Sequence, residues 1–244
     1  MKKTTLNAIA MFIAAAPLVF LSVVYSGLPQ TVPVHFGVDM QPNRWGHKSE
    51  IWVPAIIVFV LSAAVYFLFQ NLHKIDPKRS GPQLSPVFQK MGFGLLVFLA
   101  LLNFLLVEMV KGDLNLTKVL LPLCGLLFAF IGNYLYNIKP NYFAGYRVPW
   151  TLHDEDNWRK THRVGSKFWF AGGLLIAAVC PFLPTAAAFL FFLAVLSAMV
   201  CIPLVYSYRS LNKNKRRYEK DTVEAVAFDN GLACRFCSVC AEEH

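Results

Sequence analysis

Charge is what this sequence of 244 residues has least of: only 15% of its residues are Asp, Glu, Lys or Arg. A water-soluble chain of this size carries about a quarter. Acidic residues are scarcer still, 14 against 23 Lys and Arg, for a formal net charge of +9. Missing as well are a phosphate-cradling glycine loop, an H-E-x-x-H zinc motif and any recognisable nucleophile–base pairing, so no enzymatic chemistry and no cofactor are expected. What fills the chain instead is hydrophobic residues, 56% of the total, with 21 Phe.

These residues come in six blocks: Leu6–Tyr25, Ile51–Phe69, Gly92–Val110, Val119–Ile138, Phe168–Leu183 and Thr185–Tyr206. Each approaches the ~20 apolar residues that a helix needs to cross the ~30 Å hydrocarbon core. The fifth is the shortest. The expected fold class is therefore all-α, a polytopic bundle of six transmembrane helices. Met1–Tyr25 starts with lysines as a secretory signal does, but its apolar run is longer than a signal's and no small-x-small cleavage site ends it. It reads as a retained first span.

Nineteen of the 23 Lys and Arg fall in segments that share one side if the N-terminus is inside, and four fall on the other. The positive-inside rule then gives N-in and C-in. Such basic flanks also meet anionic lipid head groups, and this distribution does not suggest direct nucleic-acid binding. Three regions follow: 1–75, with two spans and an outer loop; 76–208, with four spans; and 209–244, a basic cytoplasmic tail. Pro181 and Pro184 should break the helix between spans five and six. "KIDPKRSGPQLSP", from Lys74 to Pro86, reads as a polar loop.

Between spans four and five, "GYRVPWTLHDEDNWRKTHRVG" (145–165) is polar and rich in aromatics. Thr151 and Asp154 make a capping-box pattern, acids fill the following turn, and Glu155–Arg159 and Asp156–Lys160 are i,i+4 pairs. An amphipathic cytoplasmic helix should start just after Trp150 and run to Gly165 ahead of the fifth span. Trp150 and Trp158 would sit among head groups. Two readings stay open for it, an interfacial anchor or a docking surface with Arg147, His162 and Trp158 as contacts.

Residues 142–170 resemble the hallmark of the SdpI family of bacterial membrane immunity proteins, a G-(I/Y)-R-T-P-W-T-L…W-x-x-T-x-R pattern between two spans. Gly145, Arg147, Pro149, Trp150, Thr151, Leu152, Trp158, Thr161 and His162 fall on it, while Val148 replaces a common Thr. "LPQTVPVHFGVDMQPNRWGHKSE" (28–50) resembles the module that often precedes such segments, through Leu28, Pro29, Pro33, His35, Phe36, Asn43, Arg44, Trp45, Gly46 and Lys48. That module's glycine is missing at Met40–Gln41. The resemblance implies a multi-pass protein of the bacterial cytoplasmic membrane that resists a secreted, membrane-active peptide toxin. In the family it can also imply a receptor that holds a cytoplasmic transcriptional repressor. The expected binding residues are His35, Asn43, Arg44, Trp45 and Lys48 in the outer loop. In the inner helix they are Arg147, Trp150, Thr151, Trp158, Thr161 and His162. The alternative from another class is a small-molecule or lipid transporter.

His35, Asp39, His47 and Glu50 have no spacing of known metal geometry, and no metal site is expected there. In the spans, Asn103 and Asn133 read as inter-helical hydrogen-bond partners and Glu108 as interfacial. Cys124, Cys180 and Cys201 read as small buried hydrophobes. Cys234, Cys237, Cys240 and His244 form C-x2-C-x2-C-x3-H at a C-terminus prone to fraying. That run is open to an unstructured reading, a Cys3His zinc site or an iron–sulfur run.

Overall fold

A computed structural model of the chain describes residues 3–37, 41–75, 85–111 and 116–240, with the side chains of the last helix described as far as Asn212. The six long helices are α1 (Lys3–Val24), α2 (Trp52–Ile75), α3 (Ser85–Val110), α4 (Leu116–Leu135), α6 (Glu155–Val179) and α7 (Thr185–Cys240), with a short α5 (Pro149–His153) before α6. All six long ones contain a stretch long and apolar enough to cross a membrane. Their outward faces are apolar: Phe12, Val19, Val23, Ile57, Leu190 and Phe182 are exposed, Phe12 by 78%. In water such surfaces would aggregate; in lipid they are solvated. The chain is a helical, multi-pass membrane protein. "Inner" below means the end bearing most of the basic residues.

The helices form two groups of three. α1, α2 and α3 pack on one another, as do α4, α6 and α7, and α3 against α4 is the main helix contact between the groups. Within the second group α4 and α6 touch backbone to backbone. A Cβ at Gly125 would lie 2.6 Å from the Gly173 oxygen, and one at Gly173 would lie 2.4 Å from the Ala129 nitrogen. Small residues allow this approach, and dispersion between the two backbones then holds the pair without help from water. At the inner end the groups share a single buried cluster: Leu72 of α2, Phe88 and Met91 of α3, Leu135 of α4, and Ile138, Tyr146 and Trp158 from the polar segment that follows.

Several details differ from expectation. The outer loop, for which no strand was expected, forms a β-hairpin, β1 (Thr31–Phe36) antiparallel to β2 (Pro42–His47), with irregular register around His35. Pro33 is tolerated because a two-stranded ribbon has an unpaired edge for each strand. The amphipathic segment and span five are one continuous helix, α6, because Gly165 is accommodated without a break; the fifth span is consequently among the longest. The capping pattern is split: Asp154 caps α6 through the Asp156 and Asn157 amides, while Thr151 belongs to α5. Asp156, not Glu155, pairs with Arg159, at 3.7 Å, and it also takes Lys160 at 2.5 Å. Finally, α7 continues as helix to Cys240 rather than fraying, through both Pro203 and Gly231.

The break at Pro181 and Pro184 is present, as a 3-10 turn over Cys180–Phe182. Asn103 donates to the Ala55 carbonyl at 2.9 Å and so ties α3 to α2. Asn133 does not play that part: it is exposed on α4. Glu108 pairs with Lys111 at 2.8 Å near the outer end of α3. Cys180 is buried, but Cys124 is only partly so and Cys201 is exposed. Asp39, residues 76–84, Asn115 and His244 lie outside the described residues.

The glycine contact predicts that Gly125→Ala lowers the melting temperature of the detergent-solubilised protein, by the ~1–3 kcal/mol typical of overpacking. Gly27→Ala, where an added Cβ meets nothing within 4 Å, should leave it unchanged.

Candidate functional site

The outer hairpin gathers four of the five expected outer residues at an exposed surface. The His35 Nδ1 and the Asn43 Oδ1 lie 2.6 Å apart across the strands, so the imidazole N–H donates to the amide oxygen. Arg44 Nη2 donates to Glu50 Oε2 at 2.8 Å, and the other carboxylate oxygen accepts the His47 N–H at 3.1 Å. Gly46 makes room for that carboxylate: a Cβ there would fall 2.3 Å from Glu50 Oε1. Trp45 is 59% exposed, unusual for so large a ring. Lys48 differs from the rest. It is half-buried, with its ammonium 4.9 Å from the Tyr25 ring centroid, and it tethers the hairpin to the end of α1. Beneath the hairpin lies a largely apolar recess of about 400 Å3, walled by Pro33, Phe36, Val53, Ile57, Leu106 and Met109. Arg44 and Glu50 also line it.

The inner residues are arranged in the opposite sense. Gly145 has φ +104°, and a Cβ on it would sit 2.1 Å from His162 Nε2. Only glycine fits both the conformation and the approach. The next residue, Tyr146, then donates its N–H to His162 Nε2 at 3.1 Å. That nitrogen is therefore unprotonated, and the Nδ1, 2.8 Å from the Trp158 carbonyl, carries the hydrogen. His162 is held as one neutral tautomer. Trp158 stacks on it at 4.0 Å between centroids and donates its indole N–H to the Ile138 carbonyl at 2.8 Å. The Tyr146 hydroxyl donates to the Met199 carbonyl of α7 and accepts from the Trp169 indole, both at 2.8 Å. Thr151 closes the loop by donating to the Tyr146 carbonyl at 2.6 Å.

A second set of bonds lies beside it. Asn157 Oδ1 accepts from Thr161 at 2.9 Å and from Ser207 at 2.8 Å, while Asn157 Nδ2 donates to the Ser207 carbonyl at 3.1 Å. Trp150 donates its indole N–H to the Ser207 hydroxyl at 2.9 Å. So α5, α6 and α7 are stitched at one level.

This burial corrects the reading of an inner contact surface. Trp158, Thr151, Thr161 and His162 have no exposed area, so Trp158 cannot sit among head groups and His162 cannot touch a partner from its present position. Their polar atoms are consumed in holding the loop, as burial demands. Of the expected inner residues, only Arg147 is exposed, its guanidinium donating to the Tyr142 carbonyl at 2.7 Å, and Trp150 is half-buried. Tyr146, Asn157, Trp169 and Ser207 were not expected at the site. Tyr146 and Asn157 sit within the motif, whereas nothing local marks Ser207 on α7.

Residues 137–207, the loop and the three helices' ends just described, match the SdpI/YfhL protein family. That segment is similar to the SdpI family. Residues 12–59, which hold the hairpin, match Domain of unknown function DUF1648. The chain is 22% identical over 213 residues to Immunity protein SdpI of Bacillus subtilis (strain 168), covering 86% of this chain and 99% of that protein. An uncharacterized protein of Archaeoglobus fulgidus is 41% identical over 49 residues, 20% of this chain and 26% of its own length. No solved structure gives a significant match. The two matched segments thus hold two distinct structures, an exposed outer hairpin and a buried inner knot.

The knot predicts strong coupling within it. Asn157→Ala and Ser207→Ala should each cost ~1–3 kcal/mol, because each orphans buried polar partners. The double variant should cost less than their sum by ~0.5–3 kcal/mol, read as thermal unfolding in detergent. Additive losses would place the two residues in separate environments.

Proposed function

We propose that this SdpI-family protein protects its cell against a secreted, membrane-active peptide by binding that peptide at the outer hairpin. The observation that carries the reading is the alignment with an immunity protein along nearly that protein's whole length, through both motifs in order. The geometry supports it. A peptide that attacks membranes must offer an apolar face to lipid and a polar face to water. The hairpin offers the complement of both: an apolar recess for the former, and Arg44, His35 and Asn43 for the latter. An exposed Trp beside an Arg is the composition of an interface hot spot. Binding there would intercept the peptide at the surface, before insertion. The reading has no enzymatic step.

A cytoplasmic regulator, if this protein holds one, would meet what the inner end exposes, Arg147 and part of Trp150, and not the buried residues of the knot. Release on peptide binding would then require the bundle to transmit a change between its two ends.

The test is survival of a sensitive host expressing the protein under candidate membrane-active peptides. Trp45→Ala or Arg44→Ala should weaken binding by ~2 kcal/mol, about thirtyfold, and cut resistance accordingly at unchanged expression. Full resistance in His35→Ala, Arg44→Ala and Trp45→Ala alike would remove the hairpin from the function. Loss in Arg147→Ala alone would move the site to the inner face.

A further inference from the structure

A cavity of about 830 Å3 has no part in the roles described so far. It opens at the inner end, between the chain leaving α4 and the first turns of α6. Tyr136, Asn137 and Lys139 line one side, and Glu155, Asp156, Arg159, Lys160 and Arg163 the other, with Trp158 between them. Four cations and two carboxylates give it a positive balance. The carboxylates are not equivalent to counter-ions for all four. Asp156 is engaged by Lys160 and Arg159 on its own helix. Arg163 is held differently: its guanidinium lies 5.3 Å from the Tyr136 ring centroid and donates one N–H to the Tyr136 hydroxyl at 3.1 Å. No carboxylate lies within ion-pair distance of it among the described residues. A guanidinium laid against a ring, with further donors unused, is oriented for an oxyanion.

Depth identifies what kind of oxyanion. Along α6 at 1.5 Å per residue, Arg163 lies roughly 7–8 Å before Phe168, where the exposed apolar face of the helix starts. Tyr136, half exposed, marks the same boundary at the end of α4. An anion at Arg163 is therefore at the level of lipid phosphates, beside a wall that accepts acyl chains. The positive balance selects against a head group of zero net charge.

We propose that this recess binds the phosphate of an anionic membrane phospholipid, with Arg163 as its principal ligand and Lys139 and Arg159 supplying field. The proposal does not depend on the immunity reading. Lipid held there would brace the loop that leads to Tyr146 against the start of α6.

The test uses the full chain, purified in detergent. Binding of phosphatidylglycerol, phosphatidylcholine and inorganic phosphate is measured by native mass spectrometry and by the shift in melting temperature. Phosphatidylglycerol should bind about tenfold more tightly than phosphatidylcholine, and Arg163→Gln should remove that preference. Lys167→Gln, one turn on and not lining the recess, should keep it. Arg163 is exposed, so the lipid-free melting temperature of Arg163→Gln should match wild type. Arg163→Lys, which keeps the charge but not the fork, should retain part of the preference. Equal binding of the two lipids would overturn the proposal, as would undiminished preference in Arg163→Gln. Displacement of phosphatidylglycerol by millimolar inorganic phosphate would overturn the lipid assignment in favour of a soluble anion.

Discussion

The structure depends on one hydrogen bond and the glycine that permits it: the Tyr146 N–H to His162 Nε2. A polar loop that enters a bundle of apolar helices must find a partner for every backbone and side-chain group it buries, since each unmet group costs ~1–3 kcal/mol. Gly145, at positive φ and pressed against the imidazole, turns the chain so that Tyr146 points inward. The tyrosine then reaches α7 through Met199 and α6 through Trp169. Replace the glycine and the turn, the imidazole tautomer and the tyrosine's path are lost together. Because Trp158 and Tyr146 also complete the cluster shared by Leu72 and Phe88, the same bond governs how the two groups of helices meet.

This arrangement divides labour between the two ends of the molecule. At the inner end the motif's aromatic and hydroxyl groups face one another, and their chemistry is spent on cohesion. At the outer end the hairpin leaves Trp45, Arg44, His35 and Asn43 to solvent, with Lys48 and Glu50 doing the fastening. That asymmetry suits the proposed recognition of a peptide from outside by a bundle that stays closed. Backbone contact between α4 and α6 gives it a rigid half, and the hairpin sits on the other half, above α2 and α3. Motion between the halves, joined chiefly where α3 meets α4 and at the inner cluster, is the physical route by which one end could influence the other.

Much of this was legible in the sequence. Runs of about twenty apolar residues can be little else than spans, and each of the six expected runs lies largely in one of the six long helices. The fifth was underestimated because its first four turns carry Arg159, Lys160, Arg163 and Lys167, and hydropathy cannot see that a helix continues through them. The hairpin was missed since Pro33 and Pro42 interrupt the alternation by which strands are recognised. Trp158 and His162 were misplaced for a subtler reason. On a helix at a membrane surface, an aromatic beside charges reads as interfacial, and only the loop folding back over it, with Ile138 accepting its N–H, reveals that it is covered. Ser207 and Met199 were beyond reach, because their partners lie 50 and 53 residues away in sequence. Local pattern holds no record of such pairings.

Amide hydrogen exchange at Tyr146 in the detergent-solubilised protein tests the central claim most directly. If its N–H is locked against His162 in a buried knot, it should exchange as slowly as the α4 and α6 amides around Gly132 and Ile176, opening only with the bundle itself. Exchange at the rate of an unstructured peptide would mean that the loop does not enter the bundle, and the account of the inner end would fall.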